Sequence, residues 1–193
     1  MPSLEPVEIT AGRLHLRPWR PYDVDAVHQA CQDPEIPRWT RLPTPYGRHH
    51  AEDFVTREAP RTWADGTGAA FAVVDATTEQ LLASVALLRI TALGDAEIGY
   101  WCAAPARGQG VMSQAVATLT RWAFGALGLA RIEWRAAVGN VASLRVAEKN
   151  GYTLEGTLRH ALVVGGGRRV DCWVGSRLPG DPPPPGDPRR GLR

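Results

Sequence analysis

A chain of 193 residues suits one domain with room for a substantial core. Apolar residues make up 44% and charged residues 22%, and the net charge of +2 calls for no polyanionic partner, so neither nucleic acid nor a membrane is expected. No apolar run approaches the roughly 20 residues of a membrane span, the first five residues have no signal-like character, and three widely spaced cysteines (Cys31, Cys102, Cys172) favour a reducing, cytoplasmic setting over a disulfide framework.

Lys149 is the only lysine, so the remaining basic residues are arginines. Arginine forks match phosphate oxygens, but these are scattered rather than gathered into a stripe. The abundance of Ala, Gly and Pro points instead to codon bias in a GC-rich genome.

Residues 14–19 alternate as a first strand, and 23–32 read as a helix with acidic residues in its first turn and Pro34 beyond its end. The stretch 34–45 holds four prolines and reads as an ordered loop. A second helix covers 49–64 and must break or kink at Pro60. Strands follow at 70–75 and 82–90, and a turn at 93–95 leads into a strand at 96–104. Beyond a glycine-rich segment, Met112, Ala115, Val116, Leu119, Trp122, Ala123, Ala126 and Leu127 form one helical face, which Gly128 ends. A strand at 131–138, a short helix at 142–150, and strands at 153–163 and 170–178 around Gly165-Gly166-Gly167 complete a domain of residues 1–178. Residues 179–193, with four consecutive prolines and an arginine-rich end, read as a flexible tail, with an SH3-type ligand as the sharper alternative.

The segment Arg107-Gly108-Gln109-Gly110-Val111-Met112 lies between a strand and a helix. A glycine turn that feeds a helix N-terminus aims several backbone N–H groups at one point, which suits a phosphate. It lacks the lysine of a P-loop, and Ser113 stands where a dinucleotide fingerprint needs its third glycine. Some thirty residues later a strand end delivers Gly139-Asn140-Val141-Ala142-Ser143, followed by Gly151-Tyr152.

With these pieces in place the chain resembles the GNAT superfamily of acyl-CoA-dependent N-acyltransferases, and within it the RimJ/RimL type. The resemblance rests on Glu97-Ile98-Gly99-Tyr100-Trp101, the loop from Arg107 to Gly110, the Asn140-x-x-Ser143 step, and Gly151-Tyr152-x-x-Glu155-Gly156, and it covers roughly residues 10–178. It implies a mixed α/β GNAT fold: a twisted mixed sheet of about seven strands, about four helices, and acetyl-CoA between the fourth and fifth strands. It also implies acetyl-CoA as acyl donor without a metal. The main chain of Trp101, Cys102 and Ala103 would pair with the pantetheine arm. The diphosphate would sit on the N–H groups of Arg107, Gly108, Gln109, Gly110, Val111, Met112 and Ser113, with Asn140 and Lys149 also on the cofactor side. Met112 stands where the wider superfamily prefers glycine or alanine, and looks RimJ-like.

Acyl transfer to an amine needs a neutral amine, a stabilised oxyanion and a proton for the leaving thiolate. A model α-amino group, with a pKa near 8, is already about a tenth neutral at pH 7, so an N-terminal amine demands only a weak base. Ser143 is the candidate acid; its other reading is a bond to a helix-start amide. The tyrosine that some members use falls at Ala147, which closes that route. Glu97 is the candidate base, directly or through water, unless it is an ion-paired strand residue. Glu133 is flanked by Arg131 and Arg135, Glu155 serves the turn after Tyr152, and the RimL-type glutamate position holds Leu162. Cys102 reads as a small buried residue rather than a nucleophile, and His49-His50 lacks the partners of a metal site. Trp39 and Tyr46 either line the acceptor site or cap the core.

The expected activity is direct transfer of acetyl from acetyl-CoA to a primary amine such as a protein N-terminus. A succinyl or other donor, a small-molecule amine, or a non-catalytic acyl-CoA-binding module are the alternatives, and homodimerisation is left open.

Overall fold

The computed structural model describes residues 3–182, so most of the expected tail lies outside the described residues. The strand-forming runs assemble into one sheet. A short hairpin, β1 (Ile9–Ala11) and β2 (Leu14–Pro18), starts it, followed by β3 (Ala69–Asp75), β4 (Leu81–Leu88) and β5 (Asp95–Cys102). After a crossover helix come β6 (Arg131–Ala137), β7 (Thr153–Val164) and β8 (Arg168–Arg177). The spatial order is β1-β2-β3-β4-β5-β6-β8-β7. Every neighbouring pair is antiparallel except β5 and β6.

The helices α1 (Val24–Ala30), α2 (Glu35–Trp39), α3 (Arg48–Asp53) and α4 (Ala59–Ala64) precede β3, while α5 (Val111–Gly125) and α6 (Val141–Lys149) flank β6 in sequence. The period-two pattern of the strands sends side chains into two cores. Leu14, Leu16, Phe71, Val85, Leu87, Ile98, Ile132 and Trp134 pack with the apolar stripe of α5 (Ala115, Val116, Leu119, Ala123). Ala70, Ala72, Val74 and Ala86 pack with Trp19, Val24, Val27 and Val55 of the helical layer that follows β2. Alanines on the second face let those helices lie close to the sheet.

The structure refines three expectations. The sheet has eight strands rather than about seven, because β1 has only three residues and is too short to show alternation. The expected loop at 34–45 contains α2, where the Asp33 carboxylate accepts from the Glu35 N–H at 3.0 Å and Pro37 falls in the first turn, which needs no N–H. The helix expected at 49–64 starts at Arg48, and the expected break or kink at Pro60 takes the form of an interruption just before it, with α4 restarting at Ala59. One π-helical turn, Phe54–Glu58, precedes it, with the Ala59 N–H reaching back to the Phe54 carbonyl. That wider turn absorbs the hydrogen bond that Pro60 cannot make. Among the described residues no helix is long and apolar enough to cross a membrane.

Candidate active site

The parallel pairing of β5 with β6 stops at Ile98 and Trp134, whereas β5 stays on β4 as far as Cys102 and β6 stays on β8 as far as Ala137. The two strands therefore splay, and the gap opens into a cleft of about 440 Å³. Ala103 donates its N–H to Leu82 and accepts at its C=O from Ala106, both at 2.9 Å. Alternation along β5 then turns Trp101 toward β4 as well, and leaves the main-chain groups of Tyr100 and Cys102 on the open edge. Of the stretch Trp101 to Ala103, only Cys102 therefore turns its main-chain groups to the open edge, next to those of Tyr100.

At one end of the cleft lies the glycine turn. Gly108 and Gly110 adopt φ of 74° and 77°, in the left-handed region that L side chains rarely occupy, and among the described residues nothing lies within 4 Å of a Cβ built on either. Gly110 is the N-cap of α5 and provides no side-chain cap, so the first N–H groups of the helix face open space. Gly108, Gly110, Val111, Met112 and Ser113 line the cleft, as do Asn140 and Lys149 from the ends of α6. Gln109 does not. Arg13 donates to its side-chain and main-chain oxygens, at 3.2 to 3.3 Å. Arg107 also lines the cleft; its N–H is bonded to Ala104, and its guanidinium donates to the Cys102 carbonyl at 3.1 and 3.2 Å while pairing with Asp33 at 2.6 Å. In this arrangement it bridges the open edge of β5 to the segment between α1 and α2.

Ser143 sits in the first turn of α6. Asn140, not Ser143, supplies the cap, accepting from the Ser143 N–H at 3.1 Å. The Ser143 hydroxyl is turned to the Tyr100 hydroxyl at 2.9 Å and to the indole nitrogen of Trp134 at 3.0 Å, and that indole N–H also reaches Tyr100 at 3.1 Å. Burial pushes the Tyr100 phenol up to about 12. In the sequence Tyr100 appears only within the Glu97-to-Trp101 stretch and Trp134 only within a strand, neither with a role at the site. The signal was strand alternation, which places Tyr100 on the face of β5 that α6 covers.

On the other side of the sheet, Glu35, Ile36 and Trp39 of α2, together with Thr40 and Arg135, complete the lining. The Trp39 indole donates to Glu35 at 3.2 Å. Tyr46 is not brought to the cleft; it is buried in the helical core against His50. Glu97 shares a face with Gly99 and Trp101 but does not line the cleft: its carboxylate pairs with Arg89, and the Arg135 Nε lies at 3.8 Å. Glu133 accepts from Arg135 at 2.5 Å, and Glu155 is paired with Arg131. Cys102 lines the cleft with a thiol that burial pushes up, which leaves it a poor nucleophile. The His49 and His50 rings lie 3.9 Å apart, and the Nδ1 of His50 accepts from the Gly47 N–H.

The acetyltransferase (GNAT) domain family matches residues 13–153. Over 98 residues the chain is 36% identical to the probable N-acetyltransferase YjcK of Bacillus subtilis, covering 50% of this chain and 54% of that protein. It is 37% identical over 84 residues to the ribosomal-protein-serine acetyltransferase of Escherichia coli, covering 43% and 47%. The chain thus spans about half the length of these curated relatives. The fold matches that of Mycobacterium smegmatis RimJ, solved in complex with CoA-disulfide, with a TM-score of 0.78 and 24% identity over 91% of this chain and 87% of that one.

Proposed function

The chain belongs to the GNAT acetyltransferase family, and from that premise we propose that it transfers acetyl from acetyl-CoA to a primary amine, with a protein N-terminal α-amino group as acceptor. The observation that carries this reading is the strand edge released at Gly99, which leads through the turns at 103–110 to an N-terminus of α5 that has no side-chain cap. An extended arm with two amides fits the edge as an added strand, and a diphosphate fits the helix end. Open space at Gly108 and Gly110 leaves room for that group.

The amine approaches from the side of Trp39, Thr40 and Arg135, and its nitrogen attacks the thioester carbon. The carbon–sulfur bond then breaks with its electron pair on sulfur, and the proton lost by the amine ends on the thiol. Ser143 donates a hydrogen bond to the departing sulfur. An α-amine needs little base, so Glu97, engaged by Arg89, acts only through water. The name of the Escherichia coli relative supports a ribosomal-protein acceptor.

One observation favours a second reading, in which the acyl chain or the acceptor is acidic. Arg135 and Arg145 line the cleft, and burial and then the charges of Arg41 and Arg135 lower the pKa of Arg89 behind it, with Glu97 and Glu133 offsetting part of this positive charge. The test is CoA release together with intact-mass analysis. The full chain is given acetyl-CoA or succinyl-CoA, peptides with free or blocked N-termini, and small amines. Acetylation of free N-termini alone is expected. Binding of acetyl-CoA without turnover on any acceptor would overturn the enzymatic reading.

A further inference from the structure

The oxygen of Ser143 is one corner of a closed triangle whose other corners are the Tyr100 hydroxyl and the Trp134 indole nitrogen, with sides of 2.9, 3.0 and 3.1 Å. An indole N–H can only donate, so Trp134 fixes both oxygens as acceptors. A single hydrogen then lies between Tyr100 and Ser143. If Ser143 supplied it, the Tyr100 proton would have only the Ser143 main-chain carbonyl, at 3.3 Å. If Tyr100 supplies it, the Tyr100 proton takes the 2.9 Å contact in place of the 3.3 Å one, and the Ser143 proton is free to point into the cleft. Tyr100 and Ser143 both line that cleft, whereas Trp134 is 2% exposed and lies behind them.

Resting on the acyltransferase reading above, we propose that Tyr100, oriented by Trp134, is a positioning residue that donates to the Ser143 hydroxyl and thereby aims its proton at the departing sulfur. As the carbon–sulfur bond breaks and charge gathers on sulfur, Ser143 shares its proton more fully and its oxygen becomes more negative. The Tyr100 hydrogen bond strengthens in step, which is stabilisation realised in the transition state. Tyr100 does not give up its proton, because burial keeps the phenol a donor across the working pH range. The proton that the thiol finally carries comes from the amine, so the cluster returns unchanged. A tyrosine is therefore supplied to the leaving group from β5, indirectly, in a chain whose α6 has Ala147 at the position other members use.

The test is a double-mutant cycle on the full chain with acetyl-CoA and an accepted peptide. Wild-type turnover comes first and establishes the acyltransferase reading by itself. Tyr100→Phe should then lower kcat about tenfold or more while leaving KM for acetyl-CoA within about twofold. In a Ser143→Ala background the same change should cost almost nothing, because Tyr100 acts only through Ser143. A merely structural role predicts equal losses in both backgrounds. That result would overturn the assignment and leave the acyltransferase reading standing. Site-specific 3-fluorotyrosine at position 100 keeps the shape of the side chain and makes it a stronger donor. It should hold kcat at or above wild type, and a drop like that of Tyr100→Phe would also overturn the proposal.

Discussion

Arg17 and Asp23 meet in a bidentate ion pair at 2.8 and 2.9 Å, with side chains only 1% and 6% exposed. Asp23 also accepts the Arg20 N–H at 2.8 Å, so one carboxylate ties the end of β2 to the turn that launches α1. Two charges removed from water contribute little net stability as a pair, but removing one leaves the other buried and unmatched. Asp23→Ala should therefore cost about 3–5 kcal/mol in urea unfolding, while the double change Arg17→Met with Asp23→Leu should recover most of it. If the double variant is no more stable than the single one, the buried-charge account is wrong.

The cofactor loop makes a separable prediction. Gly110 holds a φ of 77°, so an alanine there costs about 1–2 kcal/mol from backbone strain alone. Since among the described residues nothing lies within 4 Å of that Cβ, the loss of fold stability should stop there. Gly110→Glu adds a negative charge and bulk where the diphosphate is expected, so it should abolish the thermal stabilisation that acetyl-CoA gives the wild type. Equal shifts in the two proteins would remove this loop from the binding site.

The parts of the fold that could be read from sequence were those set by local pattern. The alternation of β2 and β6, the apolar runs of β3 and β4 and the stripe of α5 rest on local pattern, the Asn140-x-x-Ser143 step came with the family resemblance, and the structure has these elements in place. What escaped depended on tertiary contacts. The register of β5 on β4 decides that Tyr100 and Cys102, rather than Trp101 and Ala103, face the open edge. Whether the Glu97 carboxylate is a free base or an ion-paired strand residue depends on Arg89 and Arg135, which come from two other parts of the chain and lie beside it. The Tyr100–Ser143–Trp134 triangle joins three elements that no single stretch of sequence connects.

The acceptor side depends on how α2 is seated. Gly165, in the turn between β7 and β8, lies so close to the Pro37 main chain that a Cβ would overlap its carbonyl. Because α2 also carries Glu35, Ile36 and Trp39 into the cleft, Gly165→Ala should push α2 outward and disturb the acceptor wall. The expected result is a rise of about three- to tenfold in KM for the peptide, with acetyl-CoA affinity unchanged. A change in the KM for acetyl-CoA alone would contradict this division of the cleft.

Glu155 gives a prediction in pH. Its carboxylate accepts from Arg131 at 2.6 and 2.9 Å and from the Ser176 hydroxyl at 2.7 Å, which links β7 to β6 across β8. The Arg131 hydrogen bonds, then that of Ser176, hold the pKa down from 4.5 to about 2. A carboxylate that is more acidic in the folded state contributes stability above its unfolded pKa and loses it as pH falls toward the folded value. The contribution should therefore be complete near neutrality, decline from pH 4.5 and be gone at about 2. Since the Glu155 side chain is 39% exposed, solvent and salt screen the pair and keep the effect modest. Urea unfolding of wild type and Glu155→Gln across this range should give two curves that differ most near neutrality and converge in acid, with a smaller gap in high salt. A gap that stays constant down to pH 2 would mean that glutamine disturbs packing rather than removing a charge.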